Sequence, residues 1–292
     1  MDPTRRLPSR LVEQAQAFAG GSRTPARPKH ASTVVLLRGG DGSPGSVEVY
    51  LLRRHVDMAF AAGMCVFPGG GVDPRDFDAQ IGWVGPSEEE WAVRLGTDES
   101  LARALVCAAV RETFEESGVL LAGHSEATVV ADTTGPDWEE DRRRLEAREI
   151  SFSSFLDRRG LELRTDLLGL WASWVTPVFE PRRFHARFFV AELPTGQVTR
   201  DVSTEAEQVV WLPLREAIRA VDEHQMLMLP PTYCTCLELF DCSDAAAAVA
   251  AARQRRFETV QPEAVLDPDG AYLSIPDRLV ELRRDVGSRM HR

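Results

Sequence analysis

One helical segment constrains this chain more than any other part of its sequence. Helical periodicity begins near residue 98 and ends with the run 111–118, Arg-Glu-Thr-Phe-Glu-Glu-Ser-Gly. At about 100° per residue, Glu112 and Glu116 lie one turn apart and Glu115 flanks them. Apolar residues precede these acids on the same face and also occupy the opposite face, which predicts a helix covered on two sides. The final glycine of the run suits the left-handed cap that ends many helices.

Three partly enclosed carboxylates in one helical turn would repel one another. Either their pKa values rise, or a multivalent cation neutralises them. Because the side-chain donors are all oxygens, Mg²⁺ or Mn²⁺ suits them better than zinc. The alternative is a solvated, glutamate-rich helix end. Gly69, Gly70 and Gly71 favour the ligand site, since a glycine turn after an apolar strand lets backbone groups approach a metal or phosphate closely.

Together, these two segments resemble the signature of the Nudix hydrolase family, Gly-x5-Glu-x7-Arg-Glu-U-x-Glu-Glu-x-Gly-U, where U is a bulky apolar residue. Gly70 matches the first glycine and residues 111–119 match the second half, with Thr113 a weaker fit at the first U. Counting eight residues back from the arginine reaches Arg103, where the family has glutamate. Counting forward from Gly70 places that glutamate at position 76, and the difference between 103 and 76 is an insertion of 27 residues.

The interrupted signature resembles one branch of the family in particular, the peroxisomal type of coenzyme A diphosphatase, whose members carry a long insert at this point. Five flanking stretches resemble that branch: residues 53–54, 60–70, 174–177, 182–189 and 229–232. The resemblance therefore covers about residues 32–240.

The resemblance implies that the chain hydrolyses the diphosphate of coenzyme A or acyl-coenzyme A with Mg²⁺ or Mn²⁺ as cofactor. The products would be 3′,5′-ADP and the (acyl-)phosphopantetheine. The implied metal ligands are Glu112, Glu115, Glu116 and the Gly70 carbonyl. Catalysis is assigned to the same three glutamates together with Arg111, which would orient them through charge-assisted contacts.

Substrate recognition and the general base are less sharply defined. The residues expected to bind substrate are Gly69, Gly70, Gly71, Arg182 and Arg183. The two arginines, with Arg187, could hold the extra phosphate of a coenzyme A nucleotide, or could instead pair with acids of the protein. The base that activates water is left open among Glu112, Glu205 and Glu207.

Other functions stay open on the sequence alone. The same chemistry could act on ADP-ribose, a dinucleotide or a nucleotide sugar, because specificity usually lies in loops and inserts. A non-catalytic Nudix module that binds a nucleotide is a second alternative, which Arg103 leaves open although the three glutamates oppose it. A helical interaction protein built from the C-terminal region is a third.

The alternation of strands and helices predicts the fold class α/β, a Nudix-type α/β/α sandwich with a mixed sheet. Residues 1–31 are read as a leader and residues 32–225 as the Nudix domain, with an insertion at about 74–100. Residues 226–292 are predicted to form a mainly helical C-terminal extension. A second small hairpin is expected around the turn 267–270.

Composition narrows the choice of partners. The net charge of −11 opposes a surface that grips nucleic acid or an anionic membrane, and no apolar run approaches the roughly 18 residues that span a bilayer. Five cysteines without a secretory pattern predict reduced thiols. These reduced thiols indicate a cytoplasmic protein. Lys29 is the only lysine, and this arginine bias indicates GC-rich coding. A bacterial origin is expected. Oligomeric state is left open, with a homodimer as the state frequent in the resembled family.

Overall fold

The computed structural model of the chain describes residues 7, 9–19, 21, 24–57, 61–78, 80–204, 206–267 and 270–290. The helices of this part are α1 (Ser9–Ala19), α2 (Glu88–Leu95), α3 (Glu99–Ser117), α4 (Pro136–Glu146), α5 (Phe152–Arg159), α6 (Leu214–Asp222), α7 (Pro230–Leu239), α8 (Ala245–Gln254) and α9 (Asp277–Met290). The strands are β1 (Lys29–Arg38), β2 (Glu48–Arg54), β3 (Cys65–Val66), β4 (Gly69–Gly71), β5 (Trp83–Val84), β6 (Ala122–Gly123), β7 (Glu162–Arg164), β8 (Gly169–Val175), β9 (Phe184–Glu192), β10 (Ala206–Pro213), β11 (Ala264–Asp267) and β12 (Gly270–Leu273). Short 3-10 helices span Pro74–Phe77 and Thr165–Leu167.

The main sheet has the strand order β10-β2-β1-β9-β8, with β3 beside β2 and β4 beside β1. β1 and β9 are parallel, whereas the other neighbours in this sheet are antiparallel. The parallel pairing places Lys29 beside Phe184 and continues to Leu37 beside Glu192. The sheet is therefore mixed, as the sequence predicts.

Alternation along β1 divides the apolar core into two layers. Val34 and Leu36 point into a cluster that includes side chains of α2 to α5. Val35 and Leu37 point into the opposite cluster, which includes side chains of α6 to α9. All four residues are fully buried. A sheet covered by helices on both faces confirms the predicted α/β/α sandwich.

Helix α3 lies in the first of these layers and has well-defined ends. The Asp98 carboxylate accepts a hydrogen bond from the Leu101 N–H at the start of the helix. Gly118 ends it with a φ of 75°, a left-handed conformation that glycine adopts without steric cost. Both ends lie where the sequence predicts them, because each is set by a local capping residue.

The segment predicted as an insertion is folded against α3. β5 pairs with β7, which also pairs with β6, so a small second sheet includes part of the segment. Ser87 caps α2, and the indole of Trp91 on that helix is fully buried. The domain boundaries given above remain a prediction.

The C-terminal helices cover the other face of the sheet. The Tyr233 hydroxyl of α7 donates a hydrogen bond to Asp222, and Arg283 of α9 donates to both groups. Helix α9 was not predicted as a separate element. β11 and β12 form the expected hairpin, although residues 268 and 269 at its turn lie outside the described residues. Within the described ranges, no helix combines the length and apolar character needed to cross a membrane.

Candidate active site

The glycine strand β4 and the end of α3 meet on one face of the main sheet. Gly70 lies beside Ser32 in the antiparallel pairing of β4 with β1. The Ser32 hydroxyl donates a hydrogen bond of 2.6 Å to the carbonyl of Leu105, which ties β1 to α3. The glutamates near the end of α3 are thereby brought over the glycine strand.

Two glycines of β4 sit too close to other atoms to carry a side chain. A Cβ at Gly70 would lie 2.5 Å from the carboxylate of Glu112, and a Cβ at Gly69 would lie 2.5 Å from the carbonyl oxygen of Ser32. The Gly69 N–H donates a hydrogen bond of 2.8 Å to Glu116. The glycine turn predicted from the sequence therefore touches two of the three glutamates directly.

Arg111 links the remaining parts. Its Nη1 donates to Glu112 at 2.8 Å and to Glu115 at 3.4 Å. Its Nη2 donates at 3.0 Å to the Gly71 carbonyl. One guanidinium thus holds two glutamates and the glycine strand in a fixed relation, which is the orienting position expected for this residue.

Asp76 completes the arrangement and was missed by the sequence analysis. Its carboxylate accepts two hydrogen bonds of 2.9 Å from Nε and Nη2 of Arg111, and the residue is 1 % exposed. Asp76 is the sixth residue after Gly70, where the signature has its first glutamate. The acid is therefore present before the insertion, one methylene shorter than the family residue, and the departure assigned to Arg103 was wrong.

Arg103 contacts the insertion and not the glutamates. Its guanidinium pairs with Glu88 of α2 and lies over the ring of Trp83 at 5.4 Å. Its Nη1 also reaches the Ile81 carbonyl at 3.5 Å. All three partners belong to the insertion, so Arg103 holds that segment against α3.

Comparison with known proteins shows what the chain is similar to. A sequence model described as the NUDT19 Nudix domain matches residues 96–239. An acyl-coenzyme A diphosphatase NUDT19 from Xenopus laevis is 26% identical over 221 residues, which cover 64% of this chain and 58% of the relative. The corresponding protein from Gallus gallus is 28% identical over 250 residues, which cover 70% of this chain and 66% of the relative.

A solved structure provides the comparison of folds. The NUDIX hydrolase from Alicyclobacillus acidocaldarius aligns with a TM-score of 0.63 at 27% identity, over 77% of this chain and 96% of that chain. The chain thus resembles the Nudix family in sequence and fold. The predicted resemblance and fold are confirmed, while the chain spans less than two thirds of the length of the two curated relatives.

The expectation about origin needs correction. The two NUDT19 relatives are from a frog and a bird, which contradicts the prediction of a cytoplasmic protein of bacterial origin. The arginine bias of the sequence reflects coding composition alone.

The candidate site concentrates negative charge around one cation. Burial, and then the charge of Glu112, raises the pKa of Glu115 to about 7, although Arg111 opposes the shift. Burial alone would lower the pKa of Arg111, but Glu112 and Asp76 raise it above its ordinary value. One arginine among Asp76 and three glutamates leaves an excess of carboxylate charge.

That excess is what a divalent cation would offset. Nudix enzymes generally use divalent metal ions, and carboxylate and carbonyl oxygens are the donors that hard cations prefer. In the conformation described, Glu112 and Glu115 turn toward Arg111 while Glu116 accepts from Gly69. Among the described residues, no three His, Cys, Asp or Glu side chains converge on a single point. The donor chemistry and charge fit a metal, and the glutamate side chains would turn to bind it.

Two further arginines fix the backbone at the end of α3. Arg142 donates a hydrogen bond of 2.7 Å to the Glu115 carbonyl, and the Arg200 N–H donates to the Ser117 carbonyl at 2.9 Å. Arg142 and Arg200 both form ion pairs with Glu139. These contacts hold the last turn of the helix in place without using the glutamate side chains.

The candidates for the general base are placed differently from one another. Glu112 lies in the site, Glu207 is exposed at an irregularity in the pairing of β10 with β2, and Glu205 lies outside the described residues. Asp201 is an acid that the sequence analysis did not consider. After burial, the charges of Asp201 and Glu116 both raise the pKa of Tyr50, so both acids act on the same hydroxyl.

Arg182 and Arg183 are not brought to the glycine strand. Arg182 is exposed. The buried guanidinium of Arg183 donates to the carbonyls of Ala26 and Thr176 and to the side chain of Gln261. Arg183 therefore connects three segments of the protein, and each of its guanidinium nitrogens already has an acceptor.

Replacing Asp76 tests its pairing with Arg111. We expect Asp76→Ala to lower the free energy of unfolding by about 3–5 kcal/mol, because it removes one partner of a buried ion pair. Asp76→Glu, which restores the family residue, should recover most of the loss. Urea denaturation would measure both, with the exposed Asp57→Ala as control. A loss below about 1 kcal/mol, the range of an exposed ion pair, would contradict the pairing.

Proposed function

We propose that this Nudix protein hydrolyses the diphosphate of coenzyme A or an acyl-coenzyme A. Water would add to one phosphorus and the bridging P–O bond would break, releasing 3′,5′-ADP and the (acyl-)phosphopantetheine. The observation that carries the proposal is the assembly of Arg111 with Asp76, the glycine strand and the glutamates of α3. The names of the NUDT19 relatives support the choice of coenzyme A derivatives.

Within this proposal, some residues would bind the metal and others keep the site aligned. Glu112, Glu115 and Glu116, with the Gly70 carbonyl, would hold Mg²⁺ or Mn²⁺. Such an ion, when bound, offsets phosphate charge and lowers the pKa of a water molecule. Arg111 keeps the glutamates and the glycine strand aligned, and the amide of Gly69 fixes Glu116.

Product analysis by mass spectrometry tests the proposal. Purified protein with Mg²⁺ or Mn²⁺ would be incubated with coenzyme A, acyl-coenzyme A, ADP-ribose, NADH and a deoxynucleoside triphosphate. Selective release of 3′,5′-ADP from the coenzyme A compounds is the expected result. Cleavage of ADP-ribose or NADH instead would retain Nudix chemistry and overturn the substrate. Nucleotide binding without hydrolysis would indicate a non-catalytic module.

The charge excess predicts how Glu115 affects stability. At pH 8, Glu115→Gln should raise the melting temperature of the metal-free protein by a few degrees, roughly 1–2 kcal/mol, because it removes a carboxylate disfavoured by burial and by Glu112. The same change should abolish most of the stabilisation produced by Mg²⁺. Differential scanning calorimetry would measure both effects, with the exposed Glu140→Gln as control. A lower metal-free melting temperature would mean that attraction to Arg111 outweighs the repulsion.

A further inference from the structure

A cluster of basic side chains lies at the beginning of the parallel strands β1 and β9. The register places His30 beside His185 and Ser32 beside Arg187. The rings of His30 and His185 are 6.0 Å apart. This group, His30, His185 and Arg187, is called the Arg187 cluster below, and Arg187 is its cation.

Arg187 is a buried cation without a counter-charge. The residue is 5 % exposed, and its one side-chain hydrogen bond within the described ranges goes from Nη1 to the His185 carbonyl at 3.3 Å. Its guanidinium carries five N–H donors. Burial lowers the pKa of Arg187 to about 10, and no carboxylate of the described ranges opposes that shift. Buried charges are normally paired, whereas the remaining N–H groups of this guanidinium have no acceptor among the described residues.

Arg183 differs from Arg187 in the number of acceptors around its guanidinium. Arg183 is buried to a similar degree, four residues earlier in the chain. Its three guanidinium nitrogens each have an acceptor, supplied by Ala26, Thr176 and Gln261. A structural role for Arg187 would require acceptors of the same kind, and the described residues provide one carbonyl.

One nitrogen of the two histidine rings also lacks a hydrogen-bond partner among the described residues. Nδ1 of His30 is buried and has no hydrogen-bond partner among the described residues. Nε2 of His185 lies 2.9 Å from the Ser173 hydroxyl. Burial, then Arg187, lowers the pKa of both histidines, and Asp98 is the acid that opposes the shift at His30. The Asp98 carboxylate already accepts a hydrogen bond from the Leu101 N–H as the cap of helix α3.

The Arg187 cluster is adjacent to the candidate active site. Gly70, Ser32 and Arg187 lie in one row across β4, β1 and β9. Two strand spacings separate the ends of that row by roughly 10 Å. Two residues further outward, the Val72 N–H donates to the His30 carbonyl at 3.0 Å, and His30 lies beside His185. One substrate with two phosphate groups could therefore reach both places along the outer end of the sheet.

We propose that Arg187, His30 and His185 form a subsite for a phosphate monoester, which in a coenzyme A substrate is the 3′-phosphate of the adenosine. The assignment of that phosphate to coenzyme A rests on the proposed function. A phosphate group would accept two hydrogen bonds from the guanidinium and give the buried histidine nitrogen a partner. Of the three arginines that the sequence offers for this phosphate, Arg187 is then the one that binds it.

Kinetics with coenzyme A and 3′-dephospho-coenzyme A test the subsite. The wild type should favour coenzyme A in kcat/KM by about 10- to 100-fold, the value of a charged hydrogen-bonded contact. Arg187→Gln should bring that ratio close to one, mainly through KM for coenzyme A. Arg219→Gln, which removes an exposed charge from α6, should retain the wild-type ratio. A ratio unchanged in Arg187→Gln would overturn the subsite.

A binding measurement covers the cases in which the variant does not fold or coenzyme A is not hydrolysed. NMR of the wild-type histidine rings, assigned with His30→Gln and His185→Gln, would follow titration with 3′,5′-ADP or 5′-AMP without metal. We expect the His30 and His185 signals to shift with 3′,5′-ADP and to respond weakly to 5′-AMP. Equal responses to the two nucleotides would overturn the subsite. Failure to hydrolyse coenzyme A with a selective response to 3′,5′-ADP would overturn the proposed reaction and leave the subsite standing.

Discussion

Glu116→Gln is expected to reduce metal-dependent turnover by about 1000-fold while leaving the fold intact. A glutamine oxygen can still accept the hydrogen bond from the Gly69 N–H, so the local structure is retained. What is lost is one negative charge for a divalent cation, and metal ions stabilise a phosphoryl transition state by several kcal/mol. Steady-state kinetics with Mg²⁺ would measure the loss of kcat, and circular dichroism would verify the fold.

The control for this variant is Glu140→Gln, which neutralises an exposed carboxylate on α4. Its turnover should stay within about twofold of the wild type, since exposed charges contribute little. Turnover in Glu116→Gln equal to that of the control would show that Glu116 does not hold the metal.

Gly70→Ala is expected to have the second largest effect, a loss in kcat of about 100-fold. The added methyl would lie 2.5 Å from the Glu112 carboxylate, closer than nonbonded atoms approach, and the flexible glutamate would move aside. Glu112 would then leave the position in which Arg111 holds it, and a displacement of this size in a reacting group can cost two orders of magnitude. The melting temperature should change by only a few degrees, because the end of a side chain gives way and not the backbone.

Gly71→Ala provides the comparison within the same strand. A Cβ at Gly71 meets no atom within 4 Å, so the loss of kcat should be severalfold at most. Equal losses in the two variants would mean that the strand requires glycine for its backbone and not for the approach of Glu112.

Local signals account for the parts of the site that the sequence predicted well. Helix α3 begins at Asp98 and ends at Gly118, and each residue acts on its own backbone or that of its near neighbours. The spacing of Glu112, Glu115 and Glu116 follows from helical geometry alone. The glycine turn was recognised for the same reason, since close backbone approach is a property of the residue type.

The errors arose where the partner of a residue lies far away in the chain. Asp76 and Arg111 are 35 positions apart, and a search at fixed spacing from the arginine finds Arg103 instead. Arg183 and Arg187 look equivalent in the sequence, yet only Arg183 meets acceptors supplied by residues 26, 176 and 261. Such differences depend on tertiary contacts, which neither composition nor periodicity contains.

The Asp76–Arg111 ion pair also has a consequence for how the family can vary. The pair connects Asp76, near the start of the insertion, to Arg111 on the helix that follows it. The residues between these two positions therefore form a closed loop. The entropy of closing a loop grows slowly with its length, at about 0.6 kcal/mol for each doubling. Flexible residues can therefore be added to this loop at small thermodynamic cost while the glutamates of α3 stay in place. Insert length is then free to diverge among relatives, and a signature defined by fixed spacing will overlook active members whose loop is long.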